Sequence, residues 1–243
     1  MDRSSRLNTA GQQYWLAPHV HVCVTDDYAV LLDLRRDKYI GIGREHLPAL
    51  AASVSGWPTT TQVDSAPPST ALLHKMLSTG MLTTDPVIGK EARPPVISQP
   101  RFAALEADLE YRPRVTVRTV SQVLIAAVTA RALLKWRPIE FVVARVQRRK
   151  ERQCAESEFD LAAARPLIEA FLYLRPLFFT TKDQCLFDSL ALVELLARNR
   201  LFPIWLFAVS TNPFRAHSWV QAGDRVLNDL PERVCRFTPI LAV

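Results

Sequence analysis

The chain has 243 residues, 49% hydrophobic and 22% charged. It can therefore bury a core and is not a disordered segment, and its length allows one large or two small domains. A net charge of +6 and a pI near 9.4 favour an acidic or polyanionic partner without naming one.

Met1 to Gln13 is polar and lacks an apolar core, so no secretory signal is expected there. His19 to Thr25 alternates with period two and predicts a strand, Val20, Val22 and Val24 on one face and His19, His21 and Cys23 on the other. Residues two apart on a strand lie ~6.5–7 Å from one another. That is long for sharing one ion at ~2.0–2.3 Å per ligand. The reading is a solvated strand face with no metal. Asp26-Asp27 predicts a turn, Tyr28 to Leu34 a second strand, and Tyr39 to Ile42 a third.

Helical spacing follows from Glu45 to Val54 and stops at Gly56-Trp57-Pro58. Thr59 to Asp64 reads as a short second helix. Ser69 caps a third, whose face is Leu72, Leu73, Met76 and Leu77 and which ends at Gly80. Three strands and three helices make a winged-helix plan. Such domains often bind DNA, but the third helix offers only His74 and Lys75 toward bases or phosphates, so no nucleic-acid role is expected. Four prolines, at 86, 94, 95 and 100, mark residues 86–100 as a linker. The expected domains are therefore 1–85 and 101–243.

The second domain opens with helices. Thr119 is read as the cap of one whose face is Val120, Val123, Leu124, Ala127 and Val128. Polar residues from Ser121 to Lys135 interrupt it, which argues against a membrane span. Pro138 fits the N1 position of the next helix, which runs into Arg145, Arg148, Arg149, Lys150 and Arg152; this basic run reads as a solvated helix end. A further helix covers Leu161 to Leu174. Then come a helix opening at Cys185, a strand from Ile204 to Val209, and strands around 216–221, 225–228 and 237–241. Helices first and a small antiparallel sheet last is an α+β plan. Cysteines at 23, 154, 185 and 235 form no CxxC pair and read as reduced thiols of a cytoplasmic protein.

The last 60 residues carry the chemistry. Cys185 opens a helix, because Ala191, Leu192, Leu195 and Leu196 continue at helical spacing. A thiol there feels the positive end of the macrodipole, which favours the thiolate. His217 and Asp229 fall in short apolar segments read as adjacent strands. A nucleophilic thiol, an imidazole that carries the proton, and an acid or amide that fixes the imidazole are what cysteine hydrolysis requires. Asn228 stands beside Asp229 as an alternative orienting residue; Gln184 adjoins the nucleophile, but a preceding residue often points elsewhere, so the second oxyanion donor is left unassigned.

Cys185-Leu186-Phe187-Asp188-Ser189-Leu190, Asn212 to Gln221, Val226-Leu227-Asn228-Asp229 and Phe237 to Leu241 together resemble the B protein of lasso peptide biosynthesis. The resemblance implies a leader peptidase of transglutaminase-like, papain-like fold with the triad Cys185, His217 and Asp229. It also implies that residues 1–85 resemble the leader-recognition domain of that family, similar to the small PQQ-pathway chaperone (PqqD-like). The precursor's leader would add a strand at Tyr39, Ile40 and Ile42 and contact Leu72, Lys75 and Met76. The implied partners are the precursor peptide and an asparagine-synthetase-like cyclase. No cofactor is implied, any ATP use belonging to the cyclase. Two other readings stay open: acyl transfer to an amine in place of hydrolysis, and a non-catalytic adaptor that presents the leader.

Overall fold

The computed structural model describes residues 12–25, 28–58, 70–104, 115–153, 159–178 and 184–243. The expected turn at Asp26-Asp27, the helix at 59–64, the Ser69 cap, Cys154 and nearly all of the N-terminal 13 residues lie outside that set. The chain divides into two compact units, Met1–Pro94 and Pro95–Val243.

The first unit begins with β1 (Trp15–Leu16). β2 (Val20–Val24), β3 (Tyr28–Asp33) and β4 (Lys38–Gly43) then form an antiparallel sheet in sequence order, so among the described residues β4 has a neighbour on one side only. A 3-10 turn (Arg44–His46) leads into α1 (Leu47–Ser53), and α2 (Thr70–Ser78) precedes β5 (Leu82–Thr83), which pairs with β1. Leu16, Val20, Val22, Leu31, Ile42, Leu50, Leu73 and Met76 meet in one apolar cluster. The alternation of β2 works as expected for Val20 and Val22, but the opposite face is not solvated. Cys23 is fully buried and His19 nearly so, and Lys90 Nζ reaches His21 Nδ1 at 3.2 Å. Nor are residues 86–100 all linker. Lys90 exchanges backbone bonds of 2.9 Å with Leu16, and Ala92 N–H donates to Ser55 O at 2.8 Å.

The second unit carries β6 (Phe102–Ala103), then α3 (Val117–Trp136), α4 (Ile139–Gln153), α5 (Leu161–Phe178) and α6 (Cys185–Arg198). β7 (Ile204–Thr211), β8 (Phe214–Ala222), β9 (Arg225–Val226), α7 (Pro231–Val234) and β10 (Thr238–Ala242) complete it. The sheet order is β10-β7-β8-β9-β6, antiparallel except for the parallel β6–β9 pair, so β8 is central. α6 packs on β8 and against α3 and α5, and every residue from Phe187 to Ala197 is buried.

Three helical details depart from the sequence reading. Thr116, not Thr119, caps α3, accepting from Thr119 N–H at 3.2 Å. The buried face of α3 is Val123, Ala126, Ala127 and Ala130, while Leu124 and Val128 are exposed. Residues 123–128 are apolar all round, so their periodicity does not select a face; close approach to a neighbouring helix selects the small side chains. α3 has the length and hydropathy of a spanning helix (mean hydropathy 1.4), but it packs on α6 and α5 through that alanine face. The basic run of α4 is only partly solvated: Arg145 and Arg149 form ion pairs with buried Glu194 of α6, the latter at 3.2 Å. A carboxylate inside an apolar helix face needs such partners.

Candidate active site

Cys185 is the first residue of α6. Gln184 occupies the N-cap position with backbone outside the helical region and makes no side-chain cap bond. The first-turn N–H groups therefore receive no capping oxygen from it, and the Leu186 N–H bonds the Cys185 thiol at the positive end of the macrodipole.

His217 lies in the middle of β8, buried, opposite Ala208 of β7. Its Nε2 meets Asp229 Oδ2 at 2.6 Å, the short spacing of a charge-assisted bond. With Nε2 so engaged, Nδ1 is the ring nitrogen left for the Cys185 thiol, with which the imidazole also shares a hydrogen bond. Trp219 stacks at 6.0 Å and Phe237 at 4.9 Å from the imidazole centroid, walling the ring with apolar surface. Asp229 Oδ1 accepts from the Leu230 N–H at 2.8 Å, so both carboxylate oxygens have assigned work.

The electrostatics follow from this geometry. Burial opposes charge on all three groups, and mutual contact overcomes it. His217 is raised to about 9, burial working against the cation while hydrogen bonds to Asp229 and Cys185 favour it. Cys185 lies below the ordinary thiol value: burial raises it, but His217 and the backbone N–H groups of Ser218 and Leu186 lower it further. Asp229 is likewise held below its ordinary value, burial being outweighed by the hydrogen bond from His217. The contact between them thus favours the imidazolium form of His217 and shifts Cys185 toward the thiolate.

Around this trio lies a second polar cluster. Asn228 Nδ2 donates to Asp188 Oδ2 at 2.8 Å, and Asn228 Oδ1 accepts from the Val220 N–H at 2.8 Å. Asn228 therefore faces away from the imidazole; between the two candidates for orienting His217, the contact belongs to Asp229. Arg175 of α5 places Nε 2.9 Å from Asp188 Oδ1 and donates from Nη1 to the Asn228 carbonyl at 3.1 Å. Ser189 Oγ bridges Ser218 Oγ and Trp205 Nε1, each at 2.9 Å, tying α6 to the sheet. The sequence reading missed Arg175 and Asp188. The available signal was a carboxylate three residues after Cys185, on an otherwise apolar stretch of helix, since such a group must find a partner.

Asp229 does not lie on a strand. β9 ends at Val226, and the Leu227 N–H to Val220 O bond of 2.8 Å carries the pairing one step further. In the first unit, Tyr39 and Ile40 are half-buried on β4, Leu72 is half-buried and Lys75 exposed on α2. Ile42 and Met76 are buried in the apolar cluster. Tyr39, Ile40, Leu72 and Lys75 thus reach the surface, and Ile42 and Met76 act as core. Among the described residues no group of His, Cys, Asp and Glu side chains is arranged to hold a metal ion.

Residues 124–242, just under half of the chain, match the family model described as Transglutaminase-like superfamily. The second unit therefore contains a transglutaminase-like domain within a mixed α+β chain. A curated relative, the Microcin J25-processing protein McjB of Escherichia coli, is 40% identical over 50 residues, 21% of this chain and 24% of that protein. The chain thus spans about a quarter of that relative's length. No solved structure matches the chain.

Proposed function

We propose that this protein is a cysteine peptidase that removes the leader from a ribosomally made lasso peptide precursor. The observation that carries the reading is the placement of Cys185 at the start of α6 against His217, with Asp229 on the far ring nitrogen at 2.6 Å. The partial likeness to a microcin-processing protein supports this choice of substrate class.

The thiolate of Cys185 attacks the scissile carbonyl, and the oxyanion forms near the Cys185 backbone N–H at the helix terminus. Imidazolium His217 gives its Nδ1 proton to the departing amine. Neutral His217 then takes a proton from the water that hydrolyses the acyl-enzyme. Asp229 fixes the ring and stabilises its cation in both steps. None of these steps calls for a metal or organic cofactor. The first unit would hold the leader as an added strand on β4, with Tyr39, Ile40, Leu72 and Lys75 as its surface contacts. The product would pass to an asparagine-synthetase-like cyclase, in the cytoplasm.

The test is mass spectrometry of a precursor from the neighbouring reading frame, incubated with the wild type and with Cys185→Ala. Free leader and core from the wild type alone is the expected result. Core joined to an added amine would indicate acyl transfer. Intact precursor with both proteins, with and without the cyclase, would overturn the peptidase reading.

A further inference from the structure

Asp229 orients His217, yet no strand holds Asp229. β9 stops at Val226. The residue before Asp229 is instead held at three points. The Asn228 side-chain oxygen accepts the Val220 N–H in the position a strand partner's carbonyl would occupy, the side-chain amide donates to Asp188, and the Asn228 backbone carbonyl accepts from Arg175. Asp188 in turn pairs with Arg175 at 2.9 Å. Asp188 lies three residues after Cys185, so one helix carries the nucleophile and the anchor for the residue beside Asp229.

We propose that Arg175, Asp188 and Asn228 form a positioning clamp that sets Asp229, and through it His217, at the correct distance from Cys185. The clamp rests on the reading of Cys185 as the nucleophile. A role in stability alone does not account for it. A buried ion pair is often no better than apolar residues of the same volume, and Asp188 is 3% exposed in an otherwise apolar part of α6. The groups facing Asp188 are Arg175 from α5, Asn228 and Asp229 from the segment after β9, and His217 from β8. Burial raises Asp188 to about 6, with Arg175 and then Asn228 opposing the rise. The clamp therefore weakens as pH falls through that value.

The experiment reads Cys185 directly and needs no substrate. The full chain is alkylated with iodoacetamide between pH 5 and 9, and modification of the Cys185 peptide is followed by mass spectrometry. Wild type is compared with Asp188→Asn, Arg175→Met and Arg175→Lys. In the wild type the acid limb lies below that of an ordinary thiol. Asp188→Asn and Arg175→Met shift it upward by about one pH unit, about tenfold slower alkylation on the limb. Arg175→Lys recovers part of the loss. Folded Asp188→Asn and Arg175→Met proteins with the wild-type profile would overturn the clamp. Should Arg175→Met fail to fold because it strands buried Asp188, Asp188→Asn decides, because it removes the buried charge and leaves the 39%-exposed Arg175 able to turn to water. Precursor cleavage by the same wild type separates the two proposals. Shifted alkylation without wild-type cleavage keeps the clamp and sinks the peptidase; cleavage with unshifted alkylation does the reverse.

Discussion

His21 in the first unit and His217 in the second are both largely shielded from water, yet they are driven in opposite directions. His21 falls to about 3, through burial first and then the Lys90 ammonium and His19 beside it. His217 rises to about 9 against the same burial, because Asp229 and Cys185 favour its cation. Desolvation has one sign for both rings; the neighbour's charge decides the outcome. Lys90 shows the same logic as His21, pushed down to about 8 by burial. At His21 and Lys90 burial suppresses charge, whereas at His217 a chain of partners keeps it.

The largest expected effect removes the thiol. Cys185→Ala lowers precursor cleavage on the order of 10⁵-fold or more, measured as leader release. Next, Asp229→Asn takes the partner from His217 and erases much of its difference from His21. Its imidazole titration, followed by NMR, then falls from about 9 toward the range that burial alone dictates. Cleavage drops roughly 10³–10⁴-fold. His217 binds its proton more tightly folded than unfolded, so its contribution to stability is complete below about 6.5 and is lost as pH rises through about 9. Melting temperatures of the wild type should decline over that interval more than those of Asp229→Asn.

A third prediction concerns charge that is paired without a chemical role. Replacing both Arg145 and Arg149 by Ala strands Glu194, which is 1% exposed, and should destabilise by about 3–5 kcal/mol in urea unfolding. Glu194→Gln should be milder, because the two partly exposed guanidinium groups can turn to water. The smallest effect belongs to the first unit. Lys90→Met removes the cation beside His21, whose NMR titration should rise from about 3 yet stay below 6.5, since burial remains. His21 costs the fold stability as pH falls from about 6.5 toward 3, where only the unfolded chain takes up the proton. Lys90→Met should shallow that loss in a thermal melt series.

Much of this was legible in the residues themselves. Period-two alternation placed β2, helical spacing placed Cys185 at the start of α6, and the Asn212 to Gln221 segment placed His217 on a strand. These are local properties of backbone and side-chain pattern, and a few residues suffice to express them. The face of α3 was not legible, because an apolar run fits any rotation until a neighbour selects one. Nor was the identity of the residue that orients His217. Asn228 and Asp229 are adjacent and chemically similar, and only the pairing of β8 with the segment after β9 turns one toward Asp188 and the other toward the imidazole. The half-burial of His21 beside Lys90 and the full burial of Cys23 and Glu194 were hidden for the same reason: what covers a side chain, and which charges surround it, depends on residues distant in the chain. Local pattern is enough to reveal which chemical groups are present and in what backbone conformation. Tertiary packing alone decided which of them touch, and contact and burial are what set charge in a folded protein.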